Sequence, residues 1–575
     1  MKFINKILLI FAFIGLISAC DMYDLDQQDN PNALGETTAS LDDLYNSIQL
    51  TFASQYESGD YTAGAMARMY MTVAFTYNAA VTNNTMGGVW NNAYAGLFPD
   101  VDALIKTQGD NNFAIHVGSA QVLKAWTMMQ LVDLMGDVPY SEAGQGTDII
   151  SPKVDPGSEV YAAALLLLDE AITNLADETA PAPSNDQYYA GDAVKWTTLA
   201  KTLKMRAYLN MGDVTAFNAI VAGDDIIDTQ DEDFQFNYGS QRVNPNSRHW
   251  MYNSSYEQGD GNYMNNYYMY LLAGEQVDAS GATIVDPRTR YYFYRKTNNS
   301  TNLDIAEYGC HLSVFPDQAE RPGHWTTTFS KLPYCYGTVD GYYGRDHLNG
   351  SGTPPDGPVK TSYGLYPGGG AFDWDQFQDT RTLGIFGGKG EGILPIMLSS
   401  NVWFMIAEVA ENAASGSGKA ALIQGLNASL EKVHSFKSLT GTGLEADWEQ
   451  RDGTTVPAID FFGMGQGTPE GIARLAAYKE SVGLVYDAAD ANGRKDIIAK
   501  QMLIALYGNG LAAYNMWRRT GLPSNMSPSL EADPGPFAYR MRYPQDYTTR
   551  NGNYDEATDL ITNRVFWNAS GPELY

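Results

Sequence analysis

Residues 120–143, AQVLKAWTMMQLVDLMGDVPYSEA, carry an apolar run that stops abruptly. Apolar side chains follow a helical spacing from about Val117 to Leu134. Gly136 suits the residue that ends a helix, and Pro139 cannot continue one. The stretch therefore predicts a long helix that ends close to Gly136.

Two carboxylates, Asp137 and Glu142, follow directly after this predicted helix. A carboxylate beside a helix end accepts hydrogen bonds from nearby backbone N–H groups more often than it acts as a catalytic acid or base. We therefore predict a structural role for both side chains.

The same helical spacing recurs on both sides of the quoted stretch. Ser40 and Asp43 match a capping box before a first apolar face. A second apolar face runs from Met66 to Tyr77, and a third from Trp90 to Leu104, with Pro99 predicted to bend it. Helices joined by short turns predict an α-solenoid, although the sequence shows no clean 34-residue repeat. Further helical spacing covers residues 161–175, 195–210, 402–409 and 495–517.

Residues 239–392 interrupt the helical pattern, because Gly, Pro, Tyr, Asn and Asp dominate there. Helical spacing returns only after Pro395. Long ordered loops on a rigid scaffold are where binding sites usually lie. We predict a mainly α body over 40–575 that is helical over 40–238 and 393–522, with a loop-rich insertion carrying short strands over 239–392 and an irregular C-terminal segment over 523–575.

The first residues have the layout of a bacterial lipoprotein signal. Two lysines precede the uncharged run from Ile7 to Leu16, and small residues then lead into Cys20. This order predicts a signal peptide over 1–19 and a lipid on Cys20 that tethers the mature chain to a membrane. The acidic residues that follow predict a flexible leash over 20–39. The alternative is a soluble exported protein in which Cys20 carries no lipid.

The net charge narrows the possible partners of the protein, and the cysteine content bears on whether it has a disulfide. The net charge of −30, from 37 basic and 67 acidic residues, opposes binding to nucleic acid. If Cys20 is lipidated, Cys310 and Cys335 remain as a pair in an oxidising compartment. They form either a disulfide or two free buried thiols, and their spacing is compatible with both.

The sequence contains none of the short motifs of serine hydrolases, zinc proteases or phosphate-binding loops. With only six histidines in the chain, we predict no metal site and no cofactor. Glycoside hydrolysis needs only two suitably spaced carboxylates, and 67 acidic residues offer many pairs. A glycoside hydrolase is therefore the best enzymatic alternative.

Several motifs resemble the successive signatures of the SusD/RagB outer-membrane lipoproteins, and they occur in the order of that family. They are residues 120–143, LPIMLSSNVWFMIAEVAEN (394–412), GLAAYNMWRRTGLP (510–523) and RMRYPQDYTTRN (540–551), while GRDH…PPD (344–356) resembles one branch. The resemblance implies tetratricopeptide-like helix pairs, a loop-rich ligand face and no catalysis. It also implies a SusC-like TonB-dependent transporter as partner, on which such proteins sit as a lid.

Acidic residues close behind the lipidated cysteine accompany export to the cell surface in the resembling lipoproteins. The run after Cys20 therefore implies an outer-membrane, surface-exposed location, with a periplasm-facing anchor as the alternative.

Within the motifs, Arg518 and Arg519 stand near a helix end and predict ion pairs with carboxylates. Trp403 and Glu408 predict core packing and an interhelical pair.

Aromatic residues of the insertion stand beside Asn, Asp, Arg and Ser side chains. Rings stack on the apolar faces of sugars, while polar neighbours hydrogen-bond the hydroxyl groups. The preferred ligand-binding candidates are flanked by glycine or polar residues; they are Trp325, Tyr342, Tyr343, Arg345 and Trp374. The alternative for each ring is that it packs the insertion onto the scaffold.

The turns between the first helices supply a second group of ligand-binding candidates, in which Asp60, Asn83 and Asn84 look exposed. Trp90 follows them, but its place on the third apolar face also predicts core packing. The polar cluster Arg345, Asp346 and His347 predicts a turn-stabilising ion pair, with direct ligand contact as the alternative.

The sequence thus favours a non-catalytic lipoprotein of the outer membrane that binds an oligosaccharide and passes it to a transporter. A peptide-binding importer of the same family is one alternative. A lipid-anchored glycoside hydrolase is the other.

Overall fold

The computed structural model describes residues 40–72, 74–109, 111–257, 262–278, 280–297, 322–325, 329, 332, 341–350, 360–373, 377–378, 380, 384–413, 416–439, 448–449, 455–456 and 469–575. The predicted signal peptide (1–19) and leash (20–39) lie outside these residues. So do Cys20, Cys310, Cys335 and Trp374.

Helices dominate the described chain, which confirms the mainly α prediction. In order they are α1 (Leu41–Met66), α2 (Tyr77–Ala80), α3 (Gly87–Asn92), α4 (Phe98–Gln108), α5 (Ala114–Met135), α6 (Gly157–Leu175), α7 (Ala193–Met211), α8 (Val214–Val221), α9 (Trp250–Tyr256), α10 (Asn266–Ala273), α11 (Thr289–Tyr292), α12 (Ser399–Asn412), α13 (Lys419–Ser435), α14 (Pro469–Ala488), α15 (Ala491–Ala505), α16 (Gly510–Thr520) and α17 (Gln545–Arg550).

The strands are short and pair in antiparallel twos. They are β1 (Phe234–Asn237) with β4 (Ile393–Met397), β2 (Phe293–Tyr294) with β3 (Ser362–Tyr363), and β5 (Trp448–Glu449) with β6 (Thr455–Val456). In the first pair Phe236 lies opposite Leu394. Because β1 precedes the predicted insertion and β4 follows it, this pair holds the two ends of residues 239–392 together.

Ser40 is the N-cap of α1, which is one half of the predicted capping box. The Asp43 N–H donates to Ser40 Oγ at 3.1 Å, and the Ser40 hydroxyl donates to Asp43 Oδ2 at 2.8 Å. The predicted helical face from Met66 to Tyr77 is wrong, since α1 ends at Met66 and no helix resumes before Tyr77. Arg68 ends the helix with a φ of 61°, a conformation that a helix cannot accommodate.

The helix predicted from residues 120–143 is α5. It ends at Gly136, whose φ is 78° and whose N–H donates to Val132 O at 2.8 Å. A π-helical turn, Ala93–Leu97, separates α3 from α4 just before Pro99, where the sequence predicts a bend. Proline has no N–H to donate, so the regular ladder of hydrogen bonds cannot pass through this position.

Two helical predictions need correction. The run over 495–517 is not one helix, because it divides into α15 and α16, and Asn509 caps α16 by accepting from the Ala512 N–H at 3.1 Å. The insertion is not free of helices, since α9, α10 and α11 lie within it. None of these three helices exceeds eight residues, which is too short to show a helical period in the sequence.

The N-terminus of α16 packs directly against α1. A side chain built at Gly510 would meet the Asp60 carbonyl oxygen at 2.3 Å, so only glycine permits this approach. Tyr56 of α1 donates from its hydroxyl to Asn509 Oδ1 at 2.8 Å. This contact fixes the end of α1, from which the chain passes into the irregular surface described next.

Candidate functional site

Segments from distant parts of the chain meet on one irregular surface, which we call the loop face. It comprises residues 70–72, 74–78, 262–266, 322–325, 341–350 and 525–537. Backbone hydrogen bonds join the first of these segments to the insertion: Met71 N–H donates to Tyr263 O at 3.1 Å, and Arg345 N–H donates to Met264 O at 3.0 Å. The predicted insertion therefore builds this surface together with the chain that follows α1.

The segment after α16 completes the loop face. Leu530 N–H donates to His347 O at 2.8 Å, and Tyr77 N–H donates to Pro534 O at 2.9 Å. The indole N–H of Trp325 donates to Ser529 O at 3.1 Å. Main-chain hydrogen bonds thus hold the loop face in one shape without long strands.

His347 lies at the centre of the loop face and is fully buried. Its Nε2 is 3.1 Å from the Tyr77 hydroxyl, and its Nδ1 is 3.5 Å from Thr72 Oγ1. Burial, followed by the nearby positive charge of Arg68, lowers the pKa of His347 well below its usual value. A buried, neutral imidazole with these neighbours fits a structural role.

The four insertion candidates that the structure describes are all buried, none more than 8% exposed. Trp325 uses its indole N–H within the protein, as given above. Tyr342 packs edge-on against Phe293 and has the Arg295 guanidinium 5.0 Å from its ring centre. Tyr343 exchanges hydrogen bonds with Thr361.

Arg345 also belongs to a packed cluster. Its guanidinium carbon lies 4.6 Å from the centre of the Tyr263 ring, and Lys360 Nζ lies 4.2 Å from the same centre. The neighbouring Asp346 accepts a hydrogen bond from Asn266 Nδ2 at 2.9 Å. These contacts tie residues 345–347 to α10 and to the segment before it.

The candidates near the first helices lie apart from one another. Asn83 donates to Tyr543 O at 2.8 Å and to Asp559 Oδ2 at 3.1 Å, whereas Asn84 is exposed in the turn before α3. Trp90 is buried between Tyr94 and Tyr547. Its position matches the core packing that its place on the third apolar face indicated.

The prediction that Asp60 is an exposed turn residue is wrong. Asp60 lies in the last two turns of α1, is fully buried, and accepts from the Gly510 N–H at 2.5 Å. Burial raises the pKa of its carboxyl group to about 8, although hydrogen bonds from the Gly510 and Leu511 N–H groups oppose the shift. Its location excludes direct contact with a ligand on the loop face.

The sequence candidates omit the most exposed ring of the loop face, Phe75, which is 52% exposed. A side chain built at Gly350 would meet three atoms of this ring within 3.0 Å, so the ring rests against the Gly350 backbone. Phe75 stands two residues from both Val73 and Tyr77, which places it off the predicted apolar face. Because the chain between Met66 and Tyr77 forms no helix, this offset does not explain the exposure of the ring, which depends on tertiary contacts.

Asp137 and Glu142 have the predicted structural roles, whereas the predicted ion pair of Arg518 is wrong, because its guanidinium donates to the Tyr539 and Asp133 carbonyl oxygens and to Asn515 Oδ1. Asp137 Oδ1 accepts from the Gly157 N–H at 2.7 Å, and Glu142 Oε2 accepts from the Lys153 N–H at 2.8 Å. The Trp403 indole N–H donates to Asp228 O at 3.0 Å.

Within the described part of the chain, no three His, Cys, Asp or Glu side chains are grouped as a metal ion would require. Among the same residues, no helix combines the length and apolar character needed to cross a bilayer.

Helices that carry an irregular surface define a helical scaffold protein with a loop-built face. A family model described as "Starch-binding associating with outer membrane" matches residues 31–322, just over half of the sequence. The chain therefore belongs to the SusD-like family. A search of curated proteins found no match.

Solved structures of SusD homologues share the fold. A SusD/RagB family protein from Bacteroides thetaiotaomicron superimposes with a TM-score of 0.62 at 17% identity, covering 93% of this chain and 100% of that one. A chitin-binding SusD homologue from Flavobacterium johnsoniae gives 0.58 at 17% identity, covering 92% and 99%. A SusD homologue from Bacteroides fragilis gives 0.61 at 16% identity, covering 92% and 99%. These similarities establish the fold.

Proposed function

We propose that the protein is a surface-exposed lipoprotein of the outer membrane, anchored through Cys20, that binds oligosaccharides. It passes them unchanged to a SusC-like TonB-dependent transporter. Membership of a family described as starch-binding and associated with the outer membrane supports the ligand class. The lipoprotein layout of the first twenty residues supports the anchor.

The observation that carries the proposal is the exposed Phe75 ring on the loop face. Its contact with Gly350 holds it, while half of its surface stays open to solvent. A fixed, open ring can stack on the apolar face of a pyranose at little cost in side-chain entropy. Asn78 and His324 belong to the loop face and are exposed. Asn78 Oδ1 accepts from Arg542 and His324 Nε2 lies 2.9 Å from Ser529 O, so the Asn78 amide N–H groups and His324 Nδ1 are the atoms left for hydroxyl groups.

Because the other described Phe, Tyr and Trp rings of the loop face are buried, we assign them a supporting role and not ligand contact. Trp325, Tyr342 and Tyr343 support the backbone that presents the loop face, and Phe75 supplies the open stacking surface. Trp374 stays a candidate for ligand contact from its sequence context. Asn84 stays a candidate because it is polar and exposed.

A binding screen tests the function directly. The Cys20→Ala protein would be titrated with maltoheptaose, chitohexaose and a mixture of neutral oligopeptides, and each mixture would be analysed for products. We expect binding of an oligosaccharide without turnover. Retention of peptides alone would assign the peptide-import function, and turnover that disappears when one Asp or Glu is replaced would assign a hydrolase.

Location and partner need their own test. Protease treatment of intact cells should remove the protein, and the Cys20→Ala variant should appear in the soluble fraction while it keeps its ligand affinity. A SusC-like transporter should copurify with the anchored protein. Protection from protease until the outer membrane is broken would contradict the surface location and the lid mechanism.

A further inference from the structure

A cleft separate from the loop face lies beside α12 and α13. The turn at residues 228–230, the first turn of α12 and one side of α13 form its walls. Its volume is about 550 Å³, within the range of small-ligand pockets. None of its lining residues belongs to the loop face.

The walls of the cleft carry neutral hydrogen-bonding groups. Three side-chain amides line it, those of Gln230, Gln424 and Asn427, and the hydroxyl groups of Thr229 and Ser435 join them. An amide offers donors and an acceptor together, which matches neighbouring hydroxyl groups on a sugar ring. Asn427 Oδ1 is buried and has no hydrogen-bond partner among the residues that the structure describes. Such an atom is costly to bury and gains from a ligand donor.

One aromatic ring lines the same cleft. Trp403 is half-buried, and the hydrogen bond from its indole N–H to Asp228 O fixes the ring in place. A fixed ring supplies the flat apolar surface on which the C–H face of a pyranose stacks. Amides, hydroxyl groups and one indole therefore surround a space of ligand size.

The charges of the cleft disfavour an acidic ligand. Asp228 and Glu431 line it together with Lys437, so its formal charge is about −1 when the carboxylates are ionised. The protein as a whole carries a net charge of −30. Both features oppose a negatively charged ligand, and the amide and hydroxyl groups of the lining suit a neutral, hydroxyl-rich one.

We infer that this cleft is a second oligosaccharide site, which binds a neutral glycan segment between Trp403 and the amide groups of α13. The inference goes beyond the proposed function, because it places a glycan on the helical scaffold away from the loop face. The choice of probes rests on the proposed function. The cleft geometry is independent of it.

The test fills the cleft without removing a hydrogen bond. Ala428 lines the cleft on α13, whereas Ala420 on the same helix is exposed and lies outside it. Maltoheptaose and chitohexaose would be titrated calorimetrically into the wild type, Ala428→Phe and Ala420→Phe. We expect two sites in the wild type and in Ala420→Phe, with one site weakened at least about tenfold in Ala428→Phe.

Hydrogen–deuterium exchange locates the site that is lost. Bound maltoheptaose or chitohexaose should slow exchange in residues 228–230 and 424–437 of the wild type, and this protection should disappear in Ala428→Phe. If Ala428→Phe does not fold, Gln424→Ala replaces it, with the exposed Gln145→Ala as its control. Gln424→Ala should weaken the same site.

The outcomes separate the inference from the proposed function. Wild-type binding that neither cleft variant alters, with no protection at the cleft, overturns the second site and leaves the proposed function standing. Binding that is lost only through the cleft variants supports the second site and contradicts the assignment of the loop face. No binding of either probe to the wild type contradicts both.

Discussion

Arg519 donates two parallel hydrogen bonds to Glu408, from Nε to Oε1 at 3.1 Å and from Nη2 to Oε2 at 2.7 Å. The pair joins the end of α16 to α12, and both side chains are mostly buried. Arg519 also donates to Asn210 Oδ1 at 2.9 Å, which adds α7 to the junction. The Arg519 guanidinium group therefore links the end of α16 to both α12 and α7.

Replacing Arg519 should destabilise the protein clearly. Arg519→Ala leaves the Glu408 carboxylate without its partner, and we expect a loss of about 1–3 kcal/mol in the free energy of unfolding. Urea titration measures it. The exposed pair Arg550 and Asp546 is the matched control, and Arg550→Ala should leave the midpoint unchanged. Equal effects of the two variants would contradict a special role for the buried pair.

Ionisation of the buried Asp60 carboxyl group should lower the free energy of unfolding as the pH rises. Its pKa of about 8 lies above the usual value of 3.8, so the folded state binds more protons than the unfolded state between these values. The free energy of unfolding should therefore fall from about pH 4 to pH 8. Asp60→Asn should remove up to about 4 kcal/mol of the change between pH 5 and pH 8. Parallel curves for the two proteins would show that Asp60 is ionised throughout.

Phe75 should contribute to affinity and leave stability unchanged. Phe75→Ala should weaken binding of the oligosaccharide that the screen identifies by about tenfold, since a stacking contact is lost. Leu50, which is 54% exposed on α1, supplies the control variant Leu50→Ala. Gly350→Val should weaken binding as well, because the new side chain must displace the Phe75 ring. An unchanged affinity in both loop-face variants would remove Phe75 from the site.

Cys310 and Cys335 remain a prediction from the sequence. If they are bridged, the closed loop of about 25 residues stabilises the protein by roughly 3 kcal/mol in the chain-entropy model. Titration of thiols in the denatured, unreduced Cys20→Ala protein should then find none. Two reactive thiols would establish the free-cysteine alternative.

Local signals explain which helix ends could be predicted. Ser40 begins α1 and Gly136 ends α5 because the chemistry that caps a helix lies within a few residues of the cap. The end of α1 depends on distant residues. Arg68 donates to Ser527 O at 2.9 Å and lies 4.5 Å from the Trp517 ring, and no pattern near residue 68 contains either partner.

The loop face shows the same division between local and distant causes. Composition predicts that residues 239–392 differ from the helical scaffold. It could not distinguish rings that pack from rings that stay open, because Trp325 and Tyr342 are buried by residues far away in sequence. The Phe75 ring, which stays exposed, is held by contact with Gly350, 275 residues later in the chain.

The hydrogen bonds from Leu530 to His347 and from Tyr77 to Pro534 also set an order of assembly. During synthesis, residues 70–78 emerge more than 400 positions before the segment that completes the loop face. Contacts between such distant residues form late, after local helices. The helices of a growing chain can therefore form while the loop face is still incomplete. The loop face is complete only once residues 525–537 have been released, so a chain that stops before them lacks the hydrogen-bond partners of Tyr77 N–H and His347 O.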